Sequence, residues 1–357
     1  MHRPCSYFIS KEAQEVRVGL LGGTFDPVHN GHLEIAVKAL QQRHLDEVWF
    51  VVAKVSPFKQ LQYTAPFSQR LAMVRLMIAS HHRFKACTID DERSDVSYTI
   101  DTIDLLQKRF PAITFSWIIG SDQASEFNQW KDYAEILNRV DVLVYPRSVT
   151  GARDERFSWL DGEINTVSST DIRSGNSFET SPNVLRYMME NSLYTEEMLK
   201  QRLSQQRFDH TLSMTDCALD IARSYPALDL RDVRLAGLMH DSCKELSKEA
   251  MGAFLKQVNP SVALKHPNIW HGSMAAYTLS KYYSVKNKAV LRAIAGHVEG
   301  TSTHPLGLVL YLADKCDPGR GLHRDQEIKL AKTNLIKAFH LVKEDAERYR
   351  KGKEKNG

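Results

Sequence analysis

The sequence predicts a doubly wound parallel α/β sheet followed by an all-helical bundle. Three observations carry this prediction. Short β-rich runs alternate with helical stretches through the first half, the grammar of βαβ units. Those runs are almost continuously apolar, as in strands covered on both faces. After about Tyr194 the β-rich runs stop, and apolar residues recur at helical spacing. A chain of 357 residues exceeds one ordinary domain, so each half is long enough to bury its own core.

The elements follow in order. A lead-in over 1–15 is broken by charges before any signal-like apolar stretch forms. Strands are expected at 16–21, 48–52, 86–89, 114–119, 141–145 and 164–167, with helices at 32–42, 69–80, 99–110 and 133–138 between them. The junction falls in NSLYTEE, giving a first domain over 16–194 and a second over 195–343. In the second, Leu212, Ala218, Leu219 and Ile221, then Val233, Leu235, Ala236, Leu238 and Met239, mark helix faces. The charged end, 344–357, reads as a solvated helix terminus that frays.

Composition narrows the function classes. Hydrophobic residues are 43% and charged residues 25% of the chain, and no apolar run approaches the roughly 20 residues of a membrane span. Five scattered cysteines, Cys5, Cys87, Cys217, Cys243 and Cys316, show no metal-type pairing and favour reduced thiols in the cytoplasm. A net charge of +4 suits small anionic substrates and argues neither for nucleic acid nor for a membrane surface. Association of like subunits stays open.

The densest chemistry in the first half is GGTFDPVHNGH, Gly22 to His32. It follows the first strand directly, so Gly22 and Gly23 fall at the carboxyl edge of the sheet, where open α/β folds bind ligands. The helix after His29 turns its N-terminal amides and positive dipole end to the same place. His29 and His32, three residues apart, project onto one side of the first turn. Paired imidazoles at an anion seat suit phosphoryl or nucleotidyl transfer.

This stretch resembles the H-x-G-H signature of the nucleotidyltransferase superfamily, here His29-Asn30-Gly31-His32 after Thr24-Phe25-Asp26-Pro27. Ser168-Ser169-Thr170-Asp171-Ile172-Arg173 is similar to that superfamily's second signature; a capping-only reading of its hydroxyls is the plain alternative. Ser97-Tyr98-Thr99-Ile100-Asp101-Thr102, then Trp117-Ile118-Ile119-Gly120-Ser121-Asp122 and Trp130, look like nicotinate-nucleotide adenylyltransferase. The resemblance implies that AMP moves from ATP, accompanied by Mg²⁺, onto nicotinate mononucleotide. By it His32 and His29 are catalytic, and Gly22, Gly23, Thr24, Phe25, His29, His32, Lys59, Ser168, Ser169, Thr170 and Arg173 hold ATP. Tyr98, Thr99, Gly120, Asp122 and Trp130 take the pyridine nucleotide. Ser56-Pro57-Phe58-Lys59 departs from the usual Pro-Pro-His-Lys, and Phe58 offers no hydrogen bond.

The helical half carries His210, the doublet His240-Asp241, His271, His297 and Asp314. Mixed imidazole and carboxylate donors suit iron or manganese better than calcium. Adjacent His and Asp on one helix splay about a hundred degrees apart, so other helices must bring further ligands round them. The order H…HD…H…H…D resembles the HD-domain phosphohydrolases. The words LMHDSCK, HPNIWH and YLAD with Pro318 and Arg320 look like the HD-type symmetrical bis(5'-nucleosyl)-tetraphosphatase, which cuts diadenosine tetraphosphate into two ADP. The resemblance implies metal at His210, His240, Asp241, His271, His297 and Asp314, with Asp241 catalytic, one or two ions of iron or manganese, and phosphate at Lys244 and Arg320. His266 matches a family position in the metal set, and a supporting or capping role is an equal reading. Val298-Glu299-Gly300 and the short run THPLGLVLYLAD depart from the family. The other histidines are read as ordinary surface or core residues.

Together the two resemblances imply a bifunctional enzyme of NAD biosynthesis and dinucleotide hydrolysis. Two alternatives remain: another acceptor for the first half, and an HD half that hydrolyses other nucleotides or only binds them.

Overall fold

The computed structural model describes residues 15–55, 64–92, 96–147, 153–164, 166–321 and 323–354. Its packing forms two compact units. The first comprises Met1–Ser169 with Glu179–Ser181, and the second Thr170–Phe178 with Pro182–Gly357.

The first unit is built on a six-stranded sheet. β1 (Val16–Gly23) lies between β2 (Glu47–Val52) and β4 (Ile113–Gly120), and the order is β3-β2-β1-β4-β5-β6, with β3 at Phe84–Cys87, β5 at Asp141–Tyr145 and β6 at Ser158–Trp159. Every pairing is parallel; Leu20 faces Trp49 on one side and Trp117 on the other. The strand order reverses between β1 and β4, so their carboxyl ends open a crevice. Helices α1 (Asn30–Gln42), α2 (Phe67–Ile78), α3 (Thr99–Arg109), α4 (Ser121–Ser125) and α5 (Tyr133–Arg139) connect the strands. On one face Val18, Leu20, Trp117 and Val142 pack with Ile103 and Leu106 of α3 and Ile136 of α5.

Two strand positions differ from the sequence reading. β3 begins two residues early because Phe84 is the buried anchor, and Ile89 opens a separate single turn, Ile89–Glu92. The sixth strand is Ser158–Trp159 rather than 164–167. Ser158 and Trp159 take the ladder positions beside Leu143 and Val144, and Trp159 packs on the core. Ile164 is 47% exposed, so its β propensity finds no partner surface. Helix α4 and the later α7 (Pro182–Glu190) are also absent from that reading.

The second unit runs through α6 (Ser169–Arg173), α7, α8 (Thr195–Arg202), α9 (Gln205–Ala222), α10 (Leu230–Met239), α11 (Lys248–Val258), α12 (Pro260–Ala263), α13 (Trp270–Lys281), α14 (Lys288–Gly296), α15 (Pro305–Cys316), α16 (Asp325–Thr333) and α17 (Leu335–Glu354). All of α15 from Leu306 to Asp314 is buried, which marks it as the central helix. α9, α10 and α14 pack round it. The packing boundary precedes the 194/195 division expected from sequence: Val184, Leu185, Met188 and Met189 of α7 are buried, α7 lies on α10, and Arg202 donates to the Gly175 carbonyl at 2.6 Å. Among the described residues no helix is long and apolar enough to cross a membrane.

At Gly22 the Trp117 ring comes so close that an added Cβ would sit 2.5 Å from it. Gly22→Ala is therefore expected to destabilise the first unit by about 1–3 kcal/mol through overpacking, read as a lower urea midpoint for loss of near-UV tryptophan signal.

Candidate functional site

In the first unit the site grows from the carboxyl end of β1. The chain leaves Gly23, passes Phe25 in a left-handed conformation (φ 51°), and enters α1 with His29 as its N-cap. Several main-chain bonds fix this turn. Asp26 Oδ1 accepts from the Ala65 N–H at 3.1 Å, the Ser169 hydroxyl donates to the Pro27 carbonyl at 2.9 Å, and Thr180 donates to the Val28 carbonyl at 2.8 Å.

The two imidazoles lie side by side as expected, ring centroids 3.8 Å apart. His32 Nδ1 accepts the His29 main-chain N–H at 3.2 Å. A neutral His32 therefore carries its proton on Nε2. The Phe25 ring meets His32 edge-on at 5.0 Å. His29 is 3% exposed, and its Nδ1 is buried with no hydrogen-bond partner. Burial, reinforced by the positive charge of Arg147, pushes its pKa from 6.5 down to about 3.

The residues read as taking the pyridine nucleotide lie at the start of α3, at the end of β4 and beyond it. Tyr98 caps α3 and Thr99 opens it. Thr102, one turn on, donates to buried Asp90 at 2.7 Å. The Lys131 ammonium lies 4.9 Å over the Tyr98 ring and pairs with Asp101 at 3.1 Å. Gly120 ends β4, and Asp122 follows within α4, 3.6 Å from Arg147. Trp130 packs on Phe127, centroids 5.0 Å apart. Thr170 and Arg173 belong to the second unit, where Arg173 pairs with Glu197 at 3.7 Å. Lys59 lies outside the described residues.

Sequence reasoning missed two arginines here. Arg147, just past β5, donates to the Val167 carbonyl at 3.3 Å and places its charge toward His29 and Asp122. Arg70 on α2 donates to carbonyls of three segments, the Thr24 turn among them. Neither belongs to a spaced motif, so a single sequence carries no signal for them.

In the second unit the expected ligands converge from five helices. Close helix approach makes this geometry possible. A Cβ on Gly237 would meet the Thr215 hydroxyl at 2.7 Å, and one on Gly272 would meet the Ile294 carbonyl at 2.7 Å; these glycines let α10 close on α9 and α13 on α14. His240 and His297 each stand just past a helix end, and each ring uses Nδ1 on the carbonyl three residues back, Gly237 or Ile294, at 2.7 Å. Asp241 follows His240 beyond the end of α10, so neither sits on the helix as expected from sequence, which frees the carboxylate to turn inward.

His210 Nε2 is 3.4 Å from Asp314 Oδ1. His271 Nε2 is 2.9 Å and His297 Nε2 3.5 Å from Asp241 Oδ1. Yet Asp241 Oδ1 and His240 Nε2 make no hydrogen bond and are buried. His271 Nε2 and His297 Nε2 lie 3.2 Å apart, and all of these atoms converge on shared space. Two sets, His210–His240–Asp314 and His240–Asp241–His297, each offer three donor atoms within 4.8 Å of one another. Orphaned buried donors of imidazole and carboxylate type fit a borderline transition metal. Burial would raise the Asp241 carboxyl, but the imidazoles of His240, His271 and His297 hold it well below the carboxylate range. Asp314 is likewise held low, with His210 and Lys315 opposing burial. Burial lowers His240 to about 4, so its lone pair stays available.

Lys244 Nζ stands 3.0 Å from His271 Nε2 and 3.6 Å from Asp241; the Arg320 side chain lies outside the described residues. His266 accepts the Asn268 N–H at 3.2 Å, a capping role. Three contributors were not read from sequence: Arg207, 3.6 Å from Asp241, Lys315, 2.7 Å from Asp314, and Asp317. Fully buried Asp317 holds His210 Nδ1 at 2.6 Å and the Ser213 hydroxyl at 2.6 Å. Its only sequence signal was an Asp-Pro-Gly cap just after Asp314.

Residues 20–175 match the model of the Cytidylyltransferase-like family, and residues 207–319 that of the HD domain. A Mycoplasma genitalium protein named "Probable nicotinate-nucleotide adenylyltransferase/Ap4A hydrolase" is 27% identical over 341 residues, covering 91% of this chain and 96% of that one. A Halalkalibacterium halodurans protein named "Probable nicotinate-nucleotide adenylyltransferase" is 38% identical over 188 residues, 50% of this chain and 91% of its own. A solved Clostridium acetobutylicum structure, titled a predicted HD superfamily hydrolase involved in NAD metabolism, is 25% identical with a TM-score of 0.40, covering 44% of this chain and 86% of that one. Fold and motifs thus define a nucleotidyltransferase-type sheet unit joined in one chain to an HD-type helical unit. Within that class, the chain belongs to the nicotinate-nucleotide adenylyltransferase family.

Asp317→Ala leaves His210 without its orienting carboxylate and is expected to weaken metal binding about 10–100-fold, read by elemental analysis after dialysis against graded chelator. His29 titrates near 6.5 when unfolded and about 3 when folded. Its contribution to stability is therefore full above pH 6.5 and lost as pH falls toward 3. Its ring signals in NMR should hold the neutral position through the range where exposed histidines titrate.

Proposed function

We propose that the chain is a bifunctional enzyme: the first unit transfers AMP from ATP to nicotinate mononucleotide, giving deamido-NAD and pyrophosphate, and the second hydrolyses diadenosine tetraphosphate to two ADP. One observation carries this reading. Among the described residues, the two buried imidazole nitrogens with no hydrogen-bond partner are His29 Nδ1 and His240 Nε2, one at each motif cluster.

In the first reaction a phosphate oxygen of the mononucleotide attacks the α-phosphorus of ATP as the bond to the β-bridging oxygen breaks, and no covalent enzyme intermediate is needed. His32 donates from Nε2 to the α-phosphate as charge develops there. His29, kept neutral, donates to the ATP phosphates without bringing a proton that the reaction would have to dispose of. Gly22, Gly23, Thr24 and Phe25 supply the turn, with Lys59, Ser168 and Ser169 as further ATP contacts. Tyr98, Thr99, Gly120, Asp122 and Trp130 seat the pyridine ring by stacking and main-chain polarity. Mg²⁺ accompanying ATP would offset phosphate charge.

In the second unit His210, His240, Asp241, His271, His297 and Asp314 would hold one or two ions of iron or manganese. Such an ion, when bound, acidifies water and offsets phosphate charge. Asp241 stays ionised beside His271 and His297, while Lys244 and Arg320 attract the polyphosphate. Water adds to a β-phosphorus and the central P–O–P bridge breaks, releasing two ADP. The thiols Cys87, Cys217, Cys243 and Cys316 are unbridged, which supports a reducing cytoplasmic setting.

The test incubates full-length protein with ATP and either nicotinate or nicotinamide mononucleotide, and separately with diadenosine tetraphosphate plus iron, manganese or magnesium, resolving products by chromatography. His32→Ala should slow adenylyl transfer by more than about a hundredfold while tetraphosphate hydrolysis persists. Asp241→Ala should do the reverse and release bound metal. Near-normal turnover in either variant removes the corresponding assignment; binding of the tetraphosphate without cleavage would leave the second unit a nucleotide sensor.

A further inference from the structure

Arg70 is 2% exposed, although a buried cation is among the most costly groups to take from water. Its fork is spent on main-chain oxygens. Nε donates to Ala65 at 2.8 Å, Nη1 to Thr24 at 2.7 Å and to Ala53 at 2.8 Å, and Nη2 to Lys54 at 3.0 Å. These carbonyls belong to three segments: the turn after β1, the chain leaving β2, and the entry to α2. The tie then passes on. The Lys54 N–H donates to the Ser97 hydroxyl at 3.0 Å, and the Ser97 N–H donates to the Val55 carbonyl at 2.9 Å. Ser97 is the residue before Tyr98, so one guanidinium anchors both the turn read as holding ATP and the segment read as holding the acceptor.

Two physical effects follow. A planar fork with five donors can fix several carbonyls in set directions, which the compact ammonium of lysine cannot reproduce. A carbonyl bonded to a cation also polarises its peptide unit, so the next N–H becomes a stronger donor. For Thr24 that N–H belongs to Phe25, within the same turn. A neutral filler would serve if packing were the whole role; a charge beneath an anion-binding turn does more.

We propose that Arg70 is a positioning residue for adenylyl transfer: it sets the Thr24–Phe25 turn against the Ser97–Tyr98 segment, so that the two nucleotides meet at a fixed separation, and its charge strengthens the donors of the turn. The proposal rests on the adenylyltransferase reading, and wild-type protein without that activity would overturn the reading itself.

The experiment measures kcat, KM for ATP and KM for nicotinate mononucleotide in full-length R70Q and R70K, alongside far-UV circular dichroism and melting temperature. R70Q is expected to lose at least about tenfold in kcat with a raised KM for ATP, and R70K to recover part of kcat by restoring charge without the fork. A folded R70Q with all three constants within about twofold of wild type overturns the proposal, as does activity lost only in proportion to folded protein. Should R70Q fail to fold, S97A decides. It keeps Arg70 but removes the hydroxyl bond to Lys54, one of the two that hold the acceptor segment, and should raise KM for the mononucleotide while KM for ATP and the melting temperature stay. An unchanged KM for the mononucleotide overturns the tie.

Discussion

A polar atom taken from water and left without a partner costs about 1–3 kcal/mol, and the rest of this structure is arranged around places where that cost is borne. His29 Nδ1, His240 Nε2 and Asp241 Oδ1 are such atoms. Each sits where surrounding backbone is over-determined: the first at a turn fixed by Asp26, Ser169 and Thr180, the others where α10 closes on α9 and α14. A loosely held loop would relax and satisfy those atoms with its own groups. The close packing at Gly22, Gly237 and Gly272 is what prevents this, so core packing and site chemistry here are one problem.

How much of this was legible in the sequence depends on where the information resides. The alternation of strands and helices, the His29/His32 pair and the six imidazole and carboxylate positions of the helical half were readable because each is a local spacing or a word of residues. The sixth strand was misplaced because Ile164 and Val167 have β propensity while Ser158-Trp159 has the partner surface; a ladder is decided by what lies across it. Arg70, Arg147, Lys315 and Asp317 were invisible as well. Arg70, Arg147 and Asp317 act across long stretches of chain or on a main-chain oxygen, and a carbonyl has no residue identity to read; Lys315 pairs with its own neighbour Asp314, a contact that no spacing marks. The packing boundary likewise escaped the sequence, since nothing local says which core the apolar face of Pro182–Glu190 joins.

The two sites use the same residue type in opposite electronic senses, and the difference lies in which ring nitrogen the backbone occupies. At a helix C-terminus the last carbonyls lack intrahelical partners. His240 and His297 stand there and meet the carbonyl three residues back through Nδ1, which fixes the proton on Nδ1 and turns Nε2 inward as a lone pair. At a helix N-terminus the orphans are N–H groups instead. His32, in the first turn of α1, accepts one through Nδ1, which leaves its proton on Nε2 and makes that nitrogen a donor. The polarity of the helix end thus writes the tautomer: imidazoles just past C-termini offer a lone pair, the form a cation takes, and an imidazole just inside an N-terminus offers an N–H, the form an anion takes. Burial then keeps His29 and His240 neutral at working pH, so neither sense is lost to protonation. Exchanging the two kinds of position would reverse the chemistry without changing a single side chain.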